Sequence, residues 1–199
     1  MVTAADRRVY VGALASFGEL TRADVEEGLA IVQPLSYAPR TWLLRAGERA
    51  TRASVVVHGL VRELFVLADG TERTKAFVHE GGITGSLADL LAGGPSRGCI
   101  VAEEPTRVLS FEYADFLALA SRRPRWEAIR VKVLERLLAA KAEREHELLG
   151  LDAAARYERF GERHPGLETR IAARHLASYL GITPEHLSRL RRRRRLATR

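Results

Sequence analysis

Apolar residues recur along this chain with the periods of helices at both ends and of strands between them. Up to residue 33 the spacing is helical: Thr21 stands as a candidate cap, and Val25, Leu29 and Val32 follow it with Glu26 and Glu27 in the early turns. After Pro34 the pattern shortens to that of strands. Residues 41–44 run into a turn at Gly47, residues 54–57 are β-branched enough for a buried strand, and Gly59 breaks it. Residues 60–67 and 71–78 then flank Asp69-Gly70, a dipeptide whose backbone freedom suits the tight turn of a hairpin. Strands over 98–102 and 107–111 bring the expected total to about eight, which suits a double-sheet jelly roll.

From Pro124 the period returns to that of a helix and holds through about Leu149. Trp126, Ile129, Val133, Leu137 and Ala140 make one stripe, and Val131, Leu134, Leu138 and Ala142 make a second beside it. Two adjacent stripes need two partners, one on the strand domain and one on the same helix of a second chain, so Ile129, Val133, Leu134 and Leu137 are candidates for a symmetric dimer interface. A single wide stripe buried within one chain fits the same pattern. Asp152 can cap the next helix, Tyr157 and Phe160 lie on its inner side, and Pro165-Gly166 ends it.

The stretch 176–190 reads as a helix-turn-helix. Leu176, Ala177 and Leu180 repeat at helical spacing, Gly181 turns the chain, and Thr183-Pro184 supplies a cap and a first-turn proline for a second helix. Leu187 and Leu190 return to the shared core, which leaves Glu185, His186, Ser188, Arg189 and Arg192 facing outward. Charge sharpens this picture. The formal net charge is +7, and residues 189–199 hold seven of the 32 basic residues and no acid, leaving 25 basic against 25 acidic elsewhere. The excess therefore sits beside a helix of a size and polarity that fits the major groove, where Arg pairs with guanine and Glu accepts from cytosine. Thr183, Glu185, His186, Ser188, Arg189, Arg192 and Arg193 are the expected DNA contacts. Plain packing units and solvated arginine tails share these features.

A glycine-rich segment, 80–97, offers a second candidate site. A short helical turn near Gly85, with Ser96 and Arg97 arriving on the next segment, can form a nest for a phosphate, so Gly85, Ser86, Leu87, Ser96 and Arg97 are the candidate ligand-binding residues. A barrel whose glycines only turn corners reads the same way. Cys99 is the only cysteine, which excludes an intrachain disulfide and a cysteine-built metal site in one chain. The six histidines are scattered, and neither a nucleophile elbow nor a phosphate-loop lysine occurs, so no catalytic residue and no metal site is expected, and the chain does not read as an enzyme. No apolar run is long enough to span a bilayer and the first residues lack a secretion signal, so a cytoplasmic protein without a membrane partner is expected.

The order of parts resembles the CRP/FNR superfamily of bacterial transcription regulators over residues 20–192 or so. The landmarks are Gly47, Gly59-Leu60-Val61-Arg62, Asp69-Gly70, Gly81-Gly82 through Gly85, Pro95-Ser96-Arg97, and Ala177-Ser178-Tyr179-Leu180-Gly181-Ile182-Thr183-Pro184 with Leu187-Ser188-Arg189, the last set similar to the short-winged branch. The resemblance implies an α+β chain: a jelly-roll sensor domain with N-terminal helices over 1–123, a dimerisation helix over 124–149 and an all-α helix-turn-helix domain with its arginine-rich tail over 150–199. It implies double-stranded DNA and a second copy of the chain as partners, with RNA polymerase a further one, and a cyclic nucleotide or other small effector as ligand. A ligand-sensing protein-interaction module whose helix-turn-helix does not bind DNA is the alternative. Two departures stand out. Ser86 follows Gly85 where nucleotide-binding members carry a ribose-binding glutamate, and Gly93-Gly94 lengthen the loop before Arg97, the match to the family's phosphate-pairing arginine. Little chain follows the reading helix to build a β-wing, so phosphate contacts are expected from the arginine run.

Overall fold

The computed structural model describes residues 1–197, with side chains through Arg194. Two helices open the chain, α1 (Ala4–Ala15) and α2 (Arg22–Ala30). Both begin with a capping box: the hydroxyls of Thr3 and Thr21 accept from the backbone N–H of Asp6 and Asp24, whose carboxylates accept from the threonine backbones in return. Eight strands follow among the described residues: β1 (Gln33–Tyr37), β2 (Trp42–Leu44), β3 (Arg52–His58), β4 (Val61–Val66), β5 (Glu72–Val78), β6 (Ile83–Thr84), β7 (Cys99–Ala102) and β8 (Thr106–Glu112). They form two antiparallel sheets, ordered β1-β8-β3-β6 and β2-β7-β4-β5, which make the expected sandwich.

Val56, Val61, Ile100 and Val108 fill the space between the sheets. The outer face of the first sheet is covered too: Val55, Val57 and Leu109 pack with Tyr10 and Leu14 of α1 and with Trp126 and Ile129 of the long helix. That double cover is why β3 reads as an unbroken β-branched run. Asp6 ties α1 to β8 through Arg107, whose guanidinium holds the Asp6 carboxyl down at about 2.

Two elements escape the sequence pattern. β1 begins at Gln33 and contains Pro34, which an edge strand tolerates because the missing N–H removes no ladder bond that the sheet needs. The helix α4 (Tyr113–Arg122) runs straight out of β8, and its Leu119 and Ala120 join the cluster under α1. The short α3 (Leu87–Ala92) crosses the glycine-rich segment.

The long helix α5 (Pro124–Gly150) is followed by α6 (Ala153–Arg163), a 3-10 turn (Leu167–Arg170), α7 (Ala173–Leu180) and α8 (Pro184–Ala197). Asp152 caps α6 by accepting from the Ala155 N–H at 2.8 Å. The two apolar stripes of α5 have different fates. Trp126 and Ile129 are buried and Val133 half-buried in the chain's own core, whereas Val131, Leu138 and Leu149 are exposed, Leu138 by 70%. The assignment of Ile129 to a dimer interface is therefore corrected: its spacing from Trp126 turns it onto α1 and the first sheet, with Val133 half-buried beside it. Leu134 and Leu137 lie half-buried at the boundary between the two faces. No helix of the described residues is long and apolar enough to cross a membrane.

Gly59 makes the tight turn between β3 and β4 at φ +96°, and a Cβ there would stand 2.6 Å from the Pro105 carbonyl oxygen. Gly59→Ala is expected to cost about 1–3 kcal/mol through overpacking, with left-handed strain added. A thermal scan should show a drop of roughly 2–4 °C for each kcal/mol; an unchanged melting temperature would contradict the packing described.

Candidate nucleic-acid interface and effector cavity

The C-terminal helices place their polar face by burying everything else. Leu176, Ala177 and Leu180 of α7 and Leu187 and Leu190 of α8 form one core with Tyr157 and Phe160 of α6. Gly181 takes the left-handed conformation, φ +69°, that ends α7, and the Thr183 hydroxyl accepts from the His186 N–H at 3.2 Å to start α8. Glu185, Ser188, Arg189, Arg192 and Arg193 are exposed on α8, His186 is half-buried and Thr183 is exposed beside its capping role. Glu185 and Arg189 stand one turn apart, and the Glu185 carboxyl lies below its usual range because its own backbone N–H and the Thr183 hydroxyl hydrogen-bond to it, with the Arg189 charge adding to the effect.

The arginine run continues α8 rather than forming a tail, and two of its members contact the chain's own residues. Arg191 pairs with Glu168 at 2.7 Å, a carboxylate that also accepts from the Tyr157 hydroxyl, and Arg194 lies over the Tyr157 ring at 5.7 Å. Sequence reasoning missed this, although the signal was present: 187, 190, 191 and 194 share one helical stripe. The Arg195 side chain and Arg199 fall outside the described residues.

A cavity of about 440 Å³ lies between the sandwich and α5, walled mainly by Val55, Leu64, Ile83, Phe116, Leu134 and Leu137. Its polar corner is the buried Glu63, which accepts from the Thr84 hydroxyl at 2.9 Å and the Lys75 ammonium at 2.7 Å. Of the residues expected to form an anion nest, Gly85, Ser86, Leu87 and Arg97 line the cavity, and the buried Ser96 sits behind them. The structure brings these residues together around a group that was not anticipated, the carboxylate of Asp89 on α3. It accepts from the Ser86 hydroxyl at 2.6 Å, the Arg97 backbone N–H at 3.0 Å and the Arg97 Nε–H at 2.7 Å, while Ser96 donates to the Gly98 carbonyl and stands 3.4 Å away. The Ser86 hydroxyl, then Arg97, hold the Asp89 carboxyl at about 2. The spacing Ser86-x-x-Asp89, that of a local side-chain bond at a helix start, was the readable sign.

Residues 34–123 match the model of the cyclic nucleotide-binding domain family. Over those residues the chain is similar to cyclic nucleotide-binding domains. With the helices that follow, it matches solved regulators of the CRP/FNR family over most of its length. FixK2 from Bradyrhizobium japonicum is 20% identical with a TM-score of 0.72, covering 84% of this chain and 86% of that one. The catabolite activator protein of Thermus thermophilus is 26% identical at a TM-score of 0.58, with 89% and 84% covered. The c-di-GMP-responsive global regulator CLP of Xanthomonas campestris is 19% identical at a TM-score of 0.68, with 87% and 91% covered. None of the curated protein sequences compared with the chain matches it.

The sandwich packs on the C-terminal helices along β5, the edge of its sheet. The Ser178 hydroxyl of α7 accepts from the Thr74 N–H at 2.9 Å and donates to the Glu72 carbonyl at 3.1 Å, so it satisfies two edge-strand groups at once. Phe77 of β5 packs against Phe160 and Tyr179, ring centroids 6.3 and 5.7 Å away. Arg170 bridges Glu80, at 2.9 Å, and Glu104, and Glu80 also accepts from the Gly59 N–H. His175 Nδ1 stands 2.7 Å from Glu103, which takes Arg62 as well. From the other side, Arg144 of α5 donates to the Tyr179 carbonyl and stacks on its ring at 3.9 Å, while Arg156 donates to the Leu180 carbonyl at 2.9 Å. Two guanidiniums thus cap the end of α7.

His164, at the end of α6, is stacked edge-on to His79, just after β5, at 6.0 Å. Burial pushes its pKa down to about 4, the charges of His79 and Arg163 push the same way, and Glu147 opposes them. The unfolded chain takes up a proton near 6.5 and the folded chain only near 4, so stability from this site is full above 6.5 and falls as the pH drops through that window. Melting temperatures between pH 7 and pH 4 should fall less steeply in His164→Gln than in the wild type; parallel curves would contradict this.

Proposed function

We propose that the protein is a dimeric transcription regulator of the cytoplasm that reads double-stranded DNA with the exposed face of α8 and takes a small effector in its cyclic nucleotide-binding domain. The observation that carries this reading is the outward row Glu185, Ser188, Arg189, Arg192 and Arg193 on a helix whose opposite side is fully committed to the core. Glu185 and Arg189 near the start of α8 suit base edges, where bidentate and acceptor groups discriminate, and Arg192 and Arg193 suit phosphates. The likeness to the catabolite activator protein and to the global regulator CLP supports it, as does the excess of basic charge beside α8.

Two copies would join along the outer stripe of α5, where Val131 and Leu138 are exposed and Leu134 is half-buried beside them. A two-fold pair of reading helices calls for inverted half-sites. Cyclic AMP in the family's usual manner is disfavoured, because Ser86 stands where the resemblance expects the ribose-binding glutamate and its hydroxyl is committed to Asp89. Losing that charge-assisted bond costs about 1.5–3 kcal/mol.

Arg189→Ala should cost roughly 1–3 kcal/mol on the preferred DNA site and relax preference at one base pair per half-site. Arg192→Ala with Arg193→Ala should instead weaken all sequences alike and flatten the salt dependence by about one unit of slope for each arginine–phosphate pair removed. Salt-insensitive binding by the wild type would point to a protein partner and sink the DNA reading. Leu138→Glu should keep the fold, give monomers in sedimentation and abolish specific DNA binding, with a melting temperature no longer dependent on protein concentration. A wild-type monomer at micromolar concentration would contradict the pairing.

A further inference from the structure

The cavity beside the sandwich holds an anion of its own. Three donors of the nest point at the same carboxylate: the Ser86 hydroxyl, the Arg97 backbone N–H and the Arg97 Nε–H all donate to Asp89 at 2.6–3.0 Å. The Asp89 side chain is only 7% exposed, so it occupies the nest, whereas the Arg97 side chain remains 73% exposed. An incoming phosphate would have to expel a covalently tethered carboxylate or share Arg97 with its like charge. Of the other charged groups around the cavity, Lys141 is exposed and the rest are paired. Glu63 is held by Lys75 and Thr84, and Arg130 is forked onto Glu127 at 2.6–2.7 Å. What is left is about 440 Å³ of space whose walls are aliphatic and aromatic, a size and character suited to a small organic molecule.

We propose that Asp89 is a resident substitute for the ligand phosphate, and that the cavity therefore takes a neutral, largely apolar small molecule, such as an aromatic one, rather than a nucleotide. Its one polar contact is a hydroxyl or N–H donated to Glu63, whose carboxylate has acceptor capacity beyond the two bonds it already receives. This deepens the effector half of the proposed function and rests on it, but it is read without DNA: failure of the Arg189 and salt experiments would remove the DNA reading and leave this proposal standing.

The test uses the full chain and three probes: cyclic AMP and inorganic phosphate by titration calorimetry, and N-phenyl-1-naphthylamine, neutral with one N–H, by its fluorescence. The wild type should bind neither anion at millimolar concentration and take up one naphthylamine per chain. Asp89→Asn, which keeps the shape and removes the charge, should still take the naphthylamine and bind at least one of the two anions tenfold or more tighter than the wild type. Leu137→Trp, which fills the apolar wall, should weaken naphthylamine uptake at least tenfold. Micromolar binding of cyclic AMP or phosphate by the wild type overturns the proposal, as does a folded wild type that takes up no naphthylamine. A folded Asp89→Asn with no gain for either anion, or a folded Leu137→Trp with unchanged uptake, overturns it as well. Should either variant fail to fold by its thermal melt, the wild-type measurements decide alone.

Discussion

The edge of a β-sheet presents backbone groups that need partners, and in this protein the cover for that edge sets the position of everything C-terminal. β5 is the last strand of its sheet, and α7 lies along it with the Ser178 hydroxyl bonded to one carbonyl and one N–H of the strand. Because Phe77 from the same strand enters the core of Phe160 and Tyr179, the polar and apolar parts of the contact fix one orientation. α8 is joined to α7 by a turn of a few residues and shares its core, so the row from Glu185 to Arg193 faces away from the sandwich as a consequence.

Charge reinforces this arrangement by being used twice. Arginines at 144, 156, 163 and 170 are directed at carbonyls and carboxylates inside the chain, around the buried Glu147 and between the two halves of the molecule. Breaking such pairs singly would strand a buried charge, which makes the contact between sandwich and helices specific as well as stable. Arg189, Arg192 and Arg193 remain exposed, so the surface that is proposed to meet phosphates carries its positive charge outward. The cavity follows the same rule, since Asp89 pairs with Arg97, the arginine of the nest.

Much of the architecture was legible because it depends on local chemistry. Asp69-Gly70 marked the β4–β5 hairpin, Pro124 marked the start of α5, and Gly181 with Thr183 marked the turn before α8, each through a backbone preference that the residue itself imposes. What escaped depends on neighbours distant in sequence. The two stripes of α5 are equally apolar on paper, and only the packing of Trp126 and Ile129 against α1 and β3 decides which faces inward. Ser178 looks like any polar residue of an amphipathic helix until β5 is placed beside it. Asp89 reads as the polar position of a short apolar turn, and its meaning appears only when Arg97 returns from the loop to meet it.

If α7 is held on β5 and on α5 as described, two reading helices in a pair keep one separation, and that rigidity can be read from DNA. The most direct measurement is selection of bound sites from random duplex DNA by the wild-type protein. The predicted result is an inverted repeat whose half-sites have a single spacing, their centres about 34–36 Å or one helical turn apart. Enrichment of no sequence, or of lone half-sites at variable spacing, would contradict it.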